Sequence, residues 1–292
     1  MQNDVGFFLN LDQGELSNEQ VLQMLAEVGY QCVEFGVSHL NPREHTPAQM
    51  RELLRQTEAA GLRVSEYVVQ RELVHFEEGV RRRELELTEE CIRAAGDLGI
   101  TIVNCFTGPA PFMGLGAPTL HRDIDEGTAW SMVCNGYDRL IPVAEKVGVS
   151  IAIEAVYGMV CRDYYTLAEL LRRYDSPQFG VNYDPSHMAL HDNAVPWTIH
   201  QLKDRIFHCH VKDVAGVPGK VMGDNFLFPL LGEGRVNWSG FFRALREIEY
   251  AGVLSVEFEA FDYFDRTLQQ DLRRAAALFY RDYQSLSRQY GS

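Results

Sequence analysis

The sequence predicts a single (β/α)8 barrel occupying residues 1–292 as one domain. Three observations predict it. Short β-rich runs alternate with amphipathic helical runs eight times along the chain, with no linker or low-complexity segment to divide them. A chain of 292 residues with 46% hydrophobic content is long and apolar enough to bury one large core. Four β-runs of the C-terminal half also carry an acid or a histidine near their C-terminal ends, just before polar or Gly-rich sequence. No G-x-G-x-x-G fingerprint argues for a doubly wound sheet instead.

In chain order, VGFFLNL (about 5–11) reads as the first strand. NEQVLQMLAEVG follows as a helix with Val21, Leu22, Met24, Leu25 and Val28 on one face, Ser17 as its cap and Gly29 as its end. QCVEFGV (31–37) is the second strand, and TPAQMRELLRQTEAAG is its helix, with Thr46 as cap and Pro47 in the first turn. RVSEYVV (63–69) is the third strand, backed by a long charged helix over about 78–98. ITIVNCF (100–106) is the fourth. Its exit, TGPAPFMGLGAPTL, is too rich in Gly and Pro for regular structure and has the length of a functional loop or lid over the site.

A helix over about 123–147 leads to the fifth strand, SIAIEAV. LAELLRRY is the helix before the sixth strand, FGVNYD, and WTIHQLKD the helix before the seventh, IFHCHV. VAGVPGKVMGDNFLFPLLGEGRVN is a second long loop. WSGFFRALREIEY, the eighth strand in VLSVEFEA and a final helix over about 266–288 complete the pattern. Aromatic residues of the two long loops, Phe112, Phe226 and Phe228, read as packed apolar groups by default, with a pocket wall or a subunit contact as the alternative.

Composition excludes several classes of function. The formal net charge is -14 and the pI is about 5.1, so phosphate backbones and anionic membranes are repelled, and the one basic run, Arg81 to Arg83, reads as a solvated helix face. The six cysteines are scattered without a C-x-x-C pair, which fits free thiols in a reducing compartment. The N-terminus has neither a basic segment nor a long apolar segment, and no run approaches ~18 apolar residues. The expectation is a soluble, cytoplasmic protein with no nucleic-acid or membrane partner.

In a barrel strand alternate residues face the interior, so parity tests which side chains share one space. Glu154 shares parity with Ala152, Asp184 with Asn182, His208 and His210 with Lys212, and Ser255 with Glu257 and Glu259. Glu154, Asp184, His210 and Glu257 are separated by 30, 26 and 47 residues; the first two gaps are one βα unit each, the third one unit plus the long loop. Polar residues pointing inward at the C-terminal mouth of a barrel read as catalytic. Two Glu, one Asp and one His form an oxygen-rich set for a single divalent cation, Mn²⁺, Mg²⁺ or Co²⁺ in preference to Zn²⁺. Parity leaves the choice between Glu257 and Glu259 open. His208 reads as a packed interior histidine, and His187 and Lys212 as ligands of substrate or of loops. Lys212, Lys220 and Arg235 are the basic residues available to an anionic substrate.

The motifs IAIEAV, GVNYDPSHM, HCHVKD, LLGEGRVNW and VLSVEFE, in that order through the C-terminal half, resemble the xylose-isomerase-like barrel superfamily. The nearest branch is that of the sugar phosphate isomerases and epimerases, with ketose 3-epimerases, hydroxypyruvate isomerases and inosose dehydratases. The resemblance implies one divalent metal held by Glu154, Asp184, His210 and Glu257. It implies Glu154 and Glu257 as an acid/base pair on opposite faces of the substrate carbon, His187 as a ligand of a substrate oxygen, and LLGEGRVNW as a loop ordering near the site. A homo-oligomer is an expectation from the resemblance alone. Three departures are informative. Gly216 stands where ketose 3-epimerases carry a basic residue, and Val160 where they place a polar sugar-binding group. Tyr67 and Asn104 stand where the superfamily's endonucleases need histidines.

A metal chelating a carbonyl and its neighbouring hydroxyl acidifies the C–H between them, so that a carboxylate can remove the proton and a cis-enediolate forms. Reprotonation gives an epimer or an aldose–ketose isomer, and loss of a β-hydroxyl makes the enzyme a dehydratase or lyase. The first reading is a metal-dependent isomerase or epimerase of a sugar or keto-sugar. The second is a metal-dependent dehydratase or lyase on a keto-sugar or inosose, and a third is a non-catalytic sugar-binding subunit. The buried carboxylate pair opposes the third, since like charges around a metal are costly to keep without use.

Overall fold

A computed structural model of the chain describes residues 3–110, 113–219, 223 and 225–291, so Phe112 and Lys220 lie outside the described residues. The strands are β1 (Val5–Phe8), β2 (Cys32–Gly36), β3 (Arg63–Val68), β4 (Ile102–Cys105), β5 (Ser150–Glu154), β6 (Phe179–Tyr183), β7 (Ile206–Val211), the short pair β8 (Ala215–Gly216) and β9 (Phe226–Leu227), and β10 (Leu254–Val256). The helices are α1 (Asn18–Val28), α2 (Val37–Leu40), α3 (Pro47–Ala59), α4 (Glu78–Leu98), α5 (Glu126–Val147), α6 (Tyr164–Arg173), α7 (Pro185–Leu190), α8 (Val195–Leu202), α9 (Trp238–Glu247), α10 (Phe261–Arg266) and α11 (Leu272–Tyr290). Eight strands close in the order β1-β10-β7-β6-β5-β4-β3-β2, each parallel to its neighbours; β8 and β9 form a separate antiparallel pair. This is the (β/α)8 barrel that the alternating pattern predicts.

Local chemistry sets the helix ends where expected. Ser17 and Thr46 each accept the backbone N–H three residues on in a reciprocal capping box, Pro47 opens α3, and Gly29 ends α1 at φ +118°. Several elements differ from expectation: α2 follows β2, and β8 and β9 pair within the second long loop. The final helix is two helices, α10 and α11, broken where Gln269 and Gln270 take φ of 55° and 60° and Asp271 caps the second. A short helix, α7, follows β6 directly, because Pro185 fits its first turn and the Asp184 carboxylate accepts from Ser186 N at 2.7 Å. Just past β10, Phe258 packs against Phe279 of α11 with ring centroids 4.2 Å apart. All six cysteines are free, and no helix among the described residues is long and apolar enough to cross a membrane.

Two carboxylates fasten the loops at the mouth. Glu72, buried, accepts from Val74 N at 2.8 Å and Ala110 N at 2.6 Å, tying the exits of β3 and β4 together. Burial outweighs those two donors and pushes its carboxyl up to about 7. An acid raised in the fold above its unfolded value contributes stability that is complete below the ordinary value of 4.5 and is lost as pH rises through about 7. The stability difference between the wild-type protein and Glu72→Ala is therefore expected to shrink steadily from pH 5 to pH 8, as read from urea midpoints. A difference that grows with pH would contradict the assignment. Asp213, also buried, accepts from Val214 N and Val236 N through Oδ1, and from Gly232 N, Gly234 N and Trp238 Nε1 through Oδ2, at 2.9–3.1 Å. The LLGEGRVNW segment is folded around this one side chain.

Candidate active site

β5, β6, β7 and β10 are contiguous in the ring, and at their C-terminal ends the barrel gathers the residues that parity selected. The candidate ligand atoms of Glu154, Asp184, His210 and Glu257 all lie within 4.8 Å of one another, and all four residues are buried. His210 Nδ1 stands 3.3 Å from Glu154 and 3.2 Å from Glu257. Gln70 Nε2 at 2.8 Å and Asn104 Nδ2 at 3.2 Å donate to the other oxygen of Glu154 and orient it. Neither amide was singled out by sequence as part of the site. Asp184 carries two tasks, capping α7 with Oδ1 and facing the cluster with Oδ2.

Lys212 enters the same cluster. Its ammonium is 3.0 Å from Asp184, 2.6 Å from Glu257 and 2.8 Å from Glu259, with the Phe228 ring 4.5 Å away. Glu259 therefore stands one step outward, on the lysine, while Glu257 reaches both the lysine and His210. His187, on α7, places Nε2 3.4 Å from Lys212 and 3.5 Å from Asp184, and its Nδ1 has no hydrogen-bond partner. Arg235 is not brought to this group; it pairs with Asp192 and donates to the Gly216 carbonyl at 3.0 Å.

The surroundings push the carboxyls apart. Burial and the neighbouring Glu257 raise Glu154 above its ordinary value, with His210 opposing. Burial also works against ionised Glu257, but Lys212 and His210 outweigh it and hold that carboxyl well below the usual range. Burial, with Glu257 adding to it, pushes Glu259 up to about 7 against the pull of Lys212. Burial, reinforced by Lys212, pushes His187 down to about 3, so its imidazole is neutral.

Above the cluster lies a cavity of about 190 Å³ whose walls include Phe106, Val156, Tyr157 and Phe261, with Gln70, Glu154, His187, Lys212, Glu257 and Glu259 as its polar lining. Phe226 packs edge-on to Tyr157 at 4.7 Å, and Phe228 meets His187 at 5.6 Å. The two loop aromatics thus pack over the mouth as part of the cavity's surround. A larger concavity of about 570 Å³, at the exit of β1, holds none of these carboxylates.

The donor set fits a hard or borderline divalent cation, being oxygen-rich, buried and convergent on one point. Glu154, Asp184, His210 and Glu257 would hold it.

The N-terminal strands hold more of the barrel's polar interior. Glu34 on β2 and Glu66 on β3 point inward, fully buried, against His208 and His210. Their signal in the sequence is one charge inside each of the apolar runs QCVEFGV and RVSEYVV.

Comparison with known proteins agrees with this architecture. A protein from Escherichia coli (strain K12), named provisionally as an L-ribulose-5-phosphate 3-epimerase, is 28% identical over 181 residues, 62% of this chain and 59% of that protein. Inosose dehydratase of Halalkalibacterium halodurans is 25% identical over 140 residues, 44% of this chain and 46% of that enzyme. The matches thus span about half to three fifths of the length of these curated relatives. Among solved structures, the IolI protein with a bound zinc atom superposes with a TM-score of 0.76 at 16% identity, covering 98% of this chain and 99% of that one, a likeness of fold. Residues 22–282 match the family model described as xylose isomerase-like TIM barrel, and the chain belongs to that family.

Proposed function

We propose that this protein is a divalent-metal-dependent isomerase or epimerase of a sugar or keto-sugar, acting by proton abstraction next to a carbonyl. The observation that carries the proposal is the convergence of Glu154, Asp184, His210 and Glu257 within 4.8 Å under a small, partly aromatic cavity. A bound dication would supply polarisation of a substrate carbonyl and acidify the adjoining C–H bond. Every other task falls to side chains. Glu154, fixed by Gln70 and Asn104, and Glu257, fixed by Lys212, face the cavity from strands separated by β6 and β7, so they reach a substrate carbon from different sides. One removes a proton and the other returns one. His187, neutral and with a free Nδ1, hydrogen-bonds a substrate oxygen, and Lys212 binds a second one from the side of Glu259.

A dehydratase or lyase on a keto-sugar or inosose is the second reading, and Gly216 favours it. That residue takes φ +99°, and a Cβ there would stand 2.1 Å from the Asn225 carbonyl oxygen, so this backbone has no room for the basic side chain of the ketose 3-epimerases. The resemblance of part of the chain to inosose dehydratases points the same way.

The test joins metal analysis to solvent deuterium incorporation into a panel of ketoses and inososes. Metal-loaded wild-type protein is expected to exchange a substrate proton, and Asp184→Ala to lose both the metal of this site and the exchange. Exchange by a metal-stripped protein would refute the proposal. Net conversion to an epimer separates the first reading from the second, which predicts release of water and an unsaturated ketone.

A further inference from the structure

The carboxylates on β2 and β3 have no part in the reaction just proposed, yet they are fully buried inside the barrel. Glu34 and Glu66 are 0% exposed, His208 is 1% exposed and His210 is 0% exposed. Their polar atoms are poorly satisfied. Both carboxylate oxygens of Glu66, Oε1 of Glu34 and Nε2 of His208 lack a hydrogen-bond partner, in a dry interior where an unpaired polar atom is destabilising.

The orientation of His208 is informative. Its Nδ1 is 3.2 Å from the Asn182 Oδ1, an atom that can only accept, so Nδ1 carries a proton and, in the neutral ring, Nε2 carries a lone pair. That lone pair faces Glu34 Oε1 at 3.3 Å. Two acceptors at this distance with nothing between them repel, and a cation between them removes the conflict. His210 completes the group with Nε2 3.1 Å from Glu34 and 3.9 Å from Glu66. Candidate ligand atoms of the four residues all lie within 4.8 Å of one another. Ligands ~2.0–2.1 Å from a tetrahedral zinc-type ion lie ~3.3 Å from each other, the scale of the distances seen here.

Charge leads to the same place. Among the described residues, five buried carboxylates, Glu34, Glu66, Glu154, Asp184 and Glu257, share the barrel interior with one buried ammonium, that of Lys212. One dication at the mouth leaves an excess of negative charge in a dry interior, and a second brings the barrel close to neutrality.

We propose that Glu34, Glu66, His208 and His210 form a second, closed metal site of tetrahedral type inside the barrel, suited to Zn²⁺ and structural in role. It lies on the opposite side of His210 from the cluster at the mouth, whose Glu154 and Glu257 face Nδ1 of the same ring. With both sites filled the His210 ring spans the two cations through its two nitrogens, and its proton is released to solvent as the second cation enters. The deep site depends on the reading of the mouth only through this shared ring.

The experiment is metal stoichiometry after dialysis of the full chain against Zn²⁺ and Mn²⁺, with Co²⁺ substitution as an optical reading. Wild-type protein is expected to retain two ions per chain, and Glu66→Gln and Asp184→Ala one each. Asp184→Ala should keep the intense visible absorption of tetrahedral Co²⁺, and Glu66→Gln, if it folds, should lose it. A wild-type protein that holds a single ion, lost in Asp184→Ala and kept in Glu66→Gln, overturns the deep site and leaves the mouth intact. A single ion lost in Glu66→Gln but kept in Asp184→Ala would support the deep site and refute the metal at the mouth. Absence of a tetrahedral Co²⁺ spectrum from both the wild-type protein and Asp184→Ala also overturns the deep site, and protons shared among these four residues then replace the ion.

Discussion

Glu154→Gln and Glu257→Gln are each expected to lower turnover by ~10²- to 10⁴-fold, the scale of a lost general acid or base, while changing substrate affinity much less. The amide keeps the size of the side chain and one oxygen, but it takes up no proton. Geometry makes the two losses different in kind. Glu154 is held from the side of β3 and β4 by Gln70 and Asn104, and Glu257 from the side of β7 by Lys212. In an epimerase each variant should therefore exchange the proton of only one epimer, which solvent deuterium and mass spectrometry can follow for each substrate separately. If either variant turned over both epimers at near wild-type rates, the two-base mechanism would fail. A lyase with one essential base would then be the better account. Near-normal exchange by Glu257→Gln would in turn move its role to Glu259, the next acid outward.

The largest effect on stability is expected from Asp213→Ala. Five donors meet this carboxylate, four of them backbone N–H groups, those of Val214, Gly232, Gly234 and Val236, and the fifth the indole of the buried Trp238 at the start of α9. Their loss leaves buried donors unpaired and should cost about 3–5 kcal/mol, as when one partner of a buried charged network is removed. Asp213→Asn separates chemistry from volume. Its carboxamide retains one acceptor for Val214 and Val236 but turns an NH₂ toward Gly232, Gly234 and Trp238, so most of the loss should remain. Urea unfolding of the two variants gives the measurement, and a change below about 1 kcal/mol for Asp213→Ala would show that the loop holds itself.

The barrel and half of its polar interior were legible in the sequence for one physical reason, the period of two. It is regular in IAIEAV and HCHVKD, where apolar residues face the helices and Glu154, His208, His210 and Lys212 face the axis. On β2 and β3 the pairing shifts register between Val33 and Glu34. Glu34 and Glu66 nevertheless come to face each other across neighbouring strands, which a count of residues along either run alone does not reveal. The role of Asp213 was hidden for another reason. Four of its donors lie 19 to 25 residues away in a Gly-rich loop with no periodicity to read. Arg235 shows the limit of reading by charge, since its partner Asp192 belongs to the segment after α7 and no spacing announces the pair.

The position of Lys212 has a consequence for how readily the mouth of the barrel changes occupants. Its ammonium already satisfies Asp184, Glu257 and Glu259, so an arriving metal meets carboxylates with an incumbent, and its affinity is the difference between two attractions. A site of this kind would tolerate emptiness, since the lysine keeps the carboxylates paired when no ion is present. On the proposed reading, metal loading at the mouth would follow the ion concentrations of the surroundings, and folding of the barrel would not wait on it.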